Sequence, residues 1–485
     1  MKSDTPHPRG IYTLFFTEMW ERFSYYGMRA LLVLFMVDAV AKGGLGLDDK
    51  TAAAIYGLYT AAVYLAALPG GWVGDRLLGA RASVWWGGII IATGHLVLGL
   101  GGSRSFFLGL LLVALGSGLL KSNMSALVGR LYPEGGARRD AGFTLFYMGV
   151  NIGAFLGPLL CSALGERIGW PLGFAAAALG MGLGLLQFRL SSHLLKDAGD
   201  PPAHPPAQKR RDWILLISGI CALALLTLGA LTGHISLDPL QLAAHSATFI
   251  LALAALFFGW AFLFAGLTVE EKKHLVVIAV LFAASALFWA GFEQAGSSFT
   301  LFAERYTQRA LLGSTIPSGW FLSINALLVV ALAPLIASLW PALQRHGRAP
   351  SLIVKFACGL LLLAAGFLVA AYAARRALTT GPVWPTWLIS IYLLHTLGEL
   401  FLSPVGLSAV TKLAPPRLSG QIMGIWFLGS ALGNIFAGLL AGEVSGDAAA
   451  AMPERFLQVV ATAGVAGILL LLVSRPIRRL MHNIE

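Results

Sequence analysis

The sequence predicts a polytopic, all-α membrane protein, and three observations support that prediction. Charged residues make up only 12% of the 485 residues and apolar residues 57%, whereas roughly a quarter of a soluble domain is charged. The mean hydropathy is +0.76. Apolar stretches of about twenty residues recur along the chain, and each can cross a hydrocarbon core of about 30 Å. We therefore expect a bundle of helices in a lipid bilayer.

Fourteen such stretches divide into groups of six, two and six, and a polar segment with four prolines precedes the pair. This segment has the composition of a linker. The predicted spans lie at about 11–40, 52–74, 82–101, 105–128, 141–164, 170–190, 213–232, 243–268, 274–303, 315–340, 352–373, 384–411, 419–441 and 456–474.

Two groups of six spans around an inserted pair indicate two six-helix halves. Each half would contain two three-helix inverted repeats, which is the architecture of the major facilitator fold. We therefore expect 12 core helices in two six-helix bundles plus a two-helix insert. The expected domains are an N-terminal six-helix bundle over 1–190, a cytoplasmic linker over 191–212, two inserted helices over 213–269 and a C-terminal six-helix bundle over 270–485.

The distribution of basic residues predicts the orientation of the chain. The net charge is +11, but the Lys and Arg residues are dispersed among short loops, so we expect no nucleic acid partner. If the N-terminus is cytoplasmic, the cytoplasmic loops and ends carry 22 Lys and Arg residues and the opposite side carries 9. Because cytoplasmic loops are enriched in basic residues, both termini are predicted to be cytoplasmic.

Charged side chains within the spans identify candidate functional positions, because each costs roughly 2.5–3.5 kcal/mol at the bilayer centre. The charged residues are Glu18, Glu21, Arg22, Arg29, Lys121, Glu293 and Glu399. With the inserted pair set aside, they fall on spans 1, 4, 7 and 10, the first helix of each predicted repeat. This pattern predicts a polar cavity between the halves. The alternative is that the charges pair with one another to fix helix packing.

The first span carries a polar stripe. Glu18, Arg22, Tyr25 and Arg29 follow the helical spacing i, i+4, i+7, i+11, so they share one face. Such a stripe must face protein or a cavity rather than lipid. Arg22 can hold a carboxylate with two hydrogen bonds, and in the whole set four acids face three bases, which leaves one acid to carry a proton.

The residues at 18–27, Glu-x-x-Glu-Arg-Phe-x-Tyr-Tyr-Gly, resemble the first-helix motif of the proton-dependent oligopeptide transporters, a branch of the major facilitator superfamily. Further segments match in the expected order at 70–79, 146–153, 288–294, 398–406 and 426–428. The resemblance covers nearly the whole chain, and the two-helix insert is similar to that of bacterial members. It implies a multi-pass protein of the bacterial cytoplasmic (inner) membrane that imports di- and tripeptides by proton symport and alternating access.

The resemblance also implies roles for individual residues. Proton coupling is assigned to Glu18, Glu21, Arg22 and Glu293, with Arg29 as the gating partner of Glu293. The implied substrate-binding residues are Arg22, Tyr25, Tyr26, Tyr64, Lys121, Asn151, Trp289, Asn325, Glu399, Trp426 and Ser430. Arg22 and Lys121 would bind the peptide carboxylate and Glu399 its ammonium group. From the residues alone, the asparagines fit interhelical hydrogen bonds equally well, and the tryptophans fit an interfacial belt or the core better than a binding site.

The sequence departs from the family pattern at three places, one of which is Gly74, where alanine is usual before Asp75. Ser122 stands where the fourth helix usually has proline, and Gly57 lies near the position of a functional histidine in animal members. Proton handling is therefore expected to rest on carboxylates. His395 lies one helical turn before Glu399 and could tune it, although a lone histidine in a span is more often a packing residue.

Two other functions remain open at this point. The first is a facilitator for another small charged solute, namely an amino acid, nitrate or a peptide-like drug. The second is a membrane enzyme, but the sequence contains no phosphate-cradling loop, metal cluster or nucleophile triad. We expect a monomer in the lipid bilayer with no metal and no cofactor, protons being the coupling ion.

Overall fold

The chain is almost entirely helical. The computed structural model describes residues 7–133, 136–200, 205–311, 313–348, 350–444 and 449–481. The helices are α1 (Gly10–Val37), α2 (Asp49–Val73), α3 (Ala80–Gly99), α4 (Ser103–Arg130), α5 (Gly136–Arg167), α6 (Trp170–Ser191), α7 (Pro206–Leu231), α8 (Pro239–Phe264), α9 (Val269–Phe292), α10 (Ser298–Tyr306), α11 (Ser323–Arg345), α12 (Leu352–Thr380), α13 (Thr386–Leu413), α14 (Ser419–Val444), α15 (Met452–Leu472) and α16 (Ser474–Leu480). Two short strands, β1 (Ala310–Leu311) and β2 (Ser314–Thr315), pair antiparallel.

The predicted membrane class is confirmed. Thirteen helical segments of the described residues are long and apolar enough to cross a membrane, namely α2 to α8, α9 with α10, and α11 to α15. The 28-residue α1 is as long as these. It carries four charged residues, all of them away from its ends. With α1, the fold has the expected fourteen long helices.

The chain forms two compact units. The first unit comprises Met1–Gly46 and Ala62–Asp238, and the second comprises Leu47–Ala61 and Pro239–Glu485. The division falls inside the inserted pair, so that α7 belongs to the first unit and α8, which packs on α14, belongs to the second. The N-terminal half of α2 also belongs to the second unit. The four-part domain organisation stays a prediction.

Within the second unit, the N-terminal half of α2 is held by close backbone approach and by an ion pair. Gly57 lies against the backbone of Asn434 and Gly438, where a Cβ atom would meet main-chain atoms. At the start of α2, Asp49 accepts two hydrogen bonds from the Arg305 guanidinium, at 2.6 and 2.8 Å. A bidentate pair of this kind fixes orientation as well as distance.

The span predicted at 274–303 lies within one membrane-crossing segment, Val269–Tyr306, and a short turn interrupts the helix of that segment. α9 ends at Phe292, a 3-10 turn runs over Glu293–Gly296, and α10 follows. Two side-chain hydrogen bonds lie next to the break. The Gln294 side-chain amide donates to the Ala290 backbone carbonyl, which accepts from a backbone N–H in a continuous helix, and the Ser298 hydroxyl donates to the Gln294 side-chain oxygen. Such local hydrogen bonds compete with helix continuation.

The start of α7 also differs from its predicted position near residue 213. The helix begins at Pro206, where the missing N–H of proline costs nothing because the first turn has no acceptor for it. Lys209, Arg210 and Arg211 therefore lie on the first turns of α7.

Candidate functional site

The charged stripe of α1 forms a buried cluster in the first unit. Glu18, Glu21 and Arg22 are all buried. The Arg22 Nε atom lies 2.9 Å from Glu18 Oε1 and 2.5 Å from Glu21 Oε2. Within the described residues, neither Glu21 oxygen has a well-aligned hydrogen bond. Two carboxylates thus share one guanidinium, and the cluster has a net charge of −1 when all three side chains are ionised.

Close packing of α5 on α1 holds this cluster in place. Three α5 glycines, spaced four residues apart, lie against main-chain carbonyls of α1, and a Cβ atom on any of them would collide there. The contacts are Gly149 with Phe15, Gly153 with Met19 and Gly157 with Phe23. Because small residues allow such close approach in membranes, α5 fixes the helix turns that carry the charges.

Aromatic side chains lie beside the three bases within the membrane spans of the first unit. The Arg22 guanidinium lies 5.4 Å from the Tyr25 ring centroid, and that of Arg29 lies 5.9 Å from the Tyr26 ring. On α4, the Lys121 ammonium lies 4.3 Å from the Tyr64 ring of α2. These are cation–π distances.

Backbone contacts bring α2 and α4 together at this point. Gly70 of α2 and Gly118 of α4 approach each other without intervening side chains. The Asn123 amide donates to the Gly70 carbonyl at 3.0 Å. Gly118 precedes Lys121 on α4, and Gly70 follows Tyr64 on α2. The close contact of the two helices at these glycines therefore allows the pairing of Lys121 with Tyr64.

Asn151 is placed on α5, close to the glycines that contact α1. Its amide donates to the Tyr147 carbonyl of the same helix at 2.9 Å. In this structure the asparagine bonds within its own helix, and its proposed contact with a substrate stays a prediction.

In the second unit, Glu399 is held by an asparagine from another helix. The Asn325 amide of α11 donates to Glu399 Oε2 and to the Thr396 hydroxyl oxygen of α13, each at 3.0 Å. In this structure Asn325 positions the acid, and its contact with a substrate stays a prediction. Thr396 was missed by the sequence analysis, although a polar residue one turn before an intramembrane acid is a signal that could have identified it.

Glu293 is buried at the first position of the 3-10 turn between α9 and α10. One turn earlier, Trp289 is half-buried beside Phe288 and Phe292, with ring centroids 5.5 and 5.3 Å away. A broken helix frees backbone groups and is a recurring device at transport sites. The pairing of Glu293 with Arg29 would join residues of different units and stays a prediction.

Trp426 and Ser430 are one turn apart on α14, and both are buried. The Trp426 ring lies against Gly406 of α13. α14 therefore presents these two predicted residues on the same face of the helix.

His395 has a packing environment rather than a direct link to Glu399. Its buried ring lies 5.1 Å from the Phe367 ring and 5.6 Å from the Phe299 ring, and it faces Gly366. Within the described ranges, no cluster of three or more His, Cys, Asp or Glu residues is placed to hold a metal ion.

Comparison with known proteins finds relatives that match nearly the full length of this chain. A profile described as PTR2, POT family, matches residues 81–453. The chain is 42% identical to the peptide transporter YePEPT of Yersinia enterocolitica, over 99% of this chain and 96% of the relative. It is 35% identical to a di-/tripeptide transporter of Lactococcus lactis subsp. cremoris, over 99% and 97% of the two chains.

Solved structures agree with the sequence matches. A mutant of the peptide transporter POT in complex with alafosfalin superposes with a TM-score of 0.90 and 38% identity, over 99% of this chain and 97% of that one. A POT family transporter in complex with 5-aminolevulinic acid superposes with a TM-score of 0.88 and 32% identity, over 98% of each chain. Fold, charged cluster and full-length similarity agree, and the protein belongs to the POT family of multi-pass membrane transporters.

Proposed function

We propose that this protein is a proton-coupled symporter that imports di- and tripeptides by alternating access. The observation that carries the proposal is the buried α1 cluster, in which Glu18 and Glu21 share the single guanidinium of Arg22. The relatives named as peptide and di-/tripeptide transporters supply the substrate class. We further propose a monomer with both termini in the cytoplasm.

The cluster couples proton and peptide binding through charge. A peptide carboxylate that pairs with Arg22 displaces at least one of its two glutamates. A buried carboxylate without a cation is costly, so the displaced glutamate takes up a proton. The peptide carboxylate adds one negative charge to the cluster and the proton adds one positive charge. The net charge of the cluster is therefore unchanged. Peptide binding and proton binding thereby become mutually dependent.

The two ends of a peptide are matched by charges of opposite sign. Arg22 and Lys121 of the first unit supply bases for the carboxylate, and Glu399 of the second unit supplies an acid for the ammonium group. Asn325 donates to one Glu399 oxygen and so orients the carboxylate. We assign the remaining substrate contacts to Tyr25, Tyr26, Tyr64, Asn151, Trp289, Trp426 and Ser430.

Arg29 and Glu293 are proposed as a gating pair. Glu293 lies at the helix break, so a change in its charge would alter the proposed ion pair with Arg29. Loss of its charge on protonation is a sufficient local signal for a conformational step.

Peptide analogues with blocked ends test the substrate assignment. Purified protein should bind dialanine, whereas N-acetyl-dialanine and dialanine amide should each bind about tenfold more weakly or worse, because each loses one ion pair. Calorimetric titration of the three ligands gives the comparison. Equal binding of all three would contradict the assignment.

Binding of 5-aminolevulinic acid or nitrate without binding of dialanine would favour a transporter for another small charged solute, since a POT family transporter is known in complex with 5-aminolevulinic acid.

A further inference from the structure

Residues 74–81, which comprise the turn after α2 and the start of α3, hold both the segment that leads from α6 towards α7 and the first turns of α7. The Arg81 backbone N–H donates to the Gly199 carbonyl at 3.1 Å, and the Arg81 side chain donates to the Ala198 carbonyl at 3.2 Å. At the other end, Arg76 Nη1 lies 3.6 Å from Asp212 Oδ2 on α7. The first turns of α7 are therefore anchored on the segment 74–81.

The rest of α7 presents an apolar surface. Residues Ala207–Leu231 form a strongly apolar helix, and none of its most apolar stretch is buried. An exposed tryptophan, Trp213, stands at the start of the apolar run, a position typical of the membrane–water interface. The acyl chains of lipids are thus the expected neighbours of α7.

Four basic side chains surround the start of this helix. They form a basic patch that consists of Arg76, Lys209, Arg210 and Arg211. The three α7 residues are exposed, and the Arg76 side chain is 40% exposed. The acid among them, Asp212, is buried and lies 3.4 Å from Arg211 as well as near Arg76. The four bases and this one acid sum to a charge of +3.

We propose that the basic patch binds the phosphate-bearing headgroup of an anionic phospholipid whose acyl chains lie along α7. From Lys209 to Trp213 the helix rises about 6 Å, which matches the depth of the headgroup layer on one side of a bilayer, about 5–7 Å. Basic residues next to a spanning helix are attracted to anionic lipids. Because Arg76 is part of the patch, the bound headgroup contacts the segment 74–81 as well as the inserted helix.

Lipid titration in detergent tests this inference, which does not depend on the proposed transport function. Native mass spectrometry should detect tighter retention of phosphatidylglycerol than of phosphatidylcholine by the full-length protein. The variant Lys209→Gln/Arg210→Gln should bind phosphatidylglycerol about 25-fold more weakly, from roughly fivefold for each charge removed. The matched control is Arg375→Gln/Arg376→Gln, two exposed arginines of α12, which should retain the wild-type affinity.

Three results would overturn the inference. The first is a wild-type protein that retains the two lipids equally. The second is a Lys209/Arg210 variant with unchanged phosphatidylglycerol affinity, or a control that loses as much. The third is displacement of the lipid from the wild-type protein by millimolar inorganic phosphate, which would identify a site for a soluble anion instead.

Discussion

Replacing Glu293 with glutamine is expected to preserve peptide exchange across the membrane and to abolish gradient-driven accumulation. Glutamine is uncharged and has the shape of a protonated glutamate. The variant therefore permanently mimics the protonated state of Glu293 at the α9–α10 break. It can bind peptide and change conformation, but it cannot take up and release the proton that drives accumulation. We expect counterflow within about twofold of wild type and accumulation reduced by about tenfold or more.

Proteoliposomes loaded with peptide measure counterflow, and proteoliposomes with an inward proton gradient measure accumulation. The matched control is Glu304→Gln, which changes an exposed acid of α10 and should leave both activities intact. If the Glu293 variant accumulates peptide as the wild type does, Glu293 has no part in coupling.

Replacing Glu399 with glutamine is expected to remove the preference for a free peptide amine. The glutamine carbonyl can still accept the hydrogen bond from Asn325, so the local geometry is kept while the charge is lost. Truncating one partner of a buried charge pair costs about 2–5 kcal/mol, so dialanine affinity should fall by about thirtyfold or more. N-acetyl-dialanine has no ammonium group, and its affinity should change by less than about threefold.

The two proteins and two ligands form a thermodynamic cycle that isolates the Glu399–ammonium interaction. Glu454→Gln, at an exposed acid near the start of α15, serves as the control and should bind dialanine like the wild type. Equal losses for dialanine and N-acetyl-dialanine would show that Glu399 acts on the structure of the site and not on the amine.

The helical class and the α1 cluster were predictable because the underlying signals are local. Burying a charge in a bilayer is so costly that charges on an apolar helix must find partners. Helical spacing alone places Glu18 next to Arg22. The structure adds that Glu21 shares the same guanidinium, a detail that depends on side-chain conformations and on the close contact with α5.

Features that depend on tertiary contacts could not be predicted. The 3-10 turn at Glu293 is four residues long and is lost in a hydropathy average over about twenty residues. The hydrogen bond from Asn325 to Glu399 joins positions 74 residues apart and has no local signal. His395 has the right spacing to reach Glu399, but its ring packs beside Phe367 of another helix.

Peptide uptake into proteoliposomes tests the central claim, proton-coupled peptide symport, most directly. The purified protein should accumulate radiolabelled dialanine above the external concentration only with an inward proton gradient, and a protonophore should abolish the accumulation. Accumulation that does not depend on the gradient would contradict proton coupling. If dialanine neither enters nor competes with other peptides, the protein is not a peptide symporter.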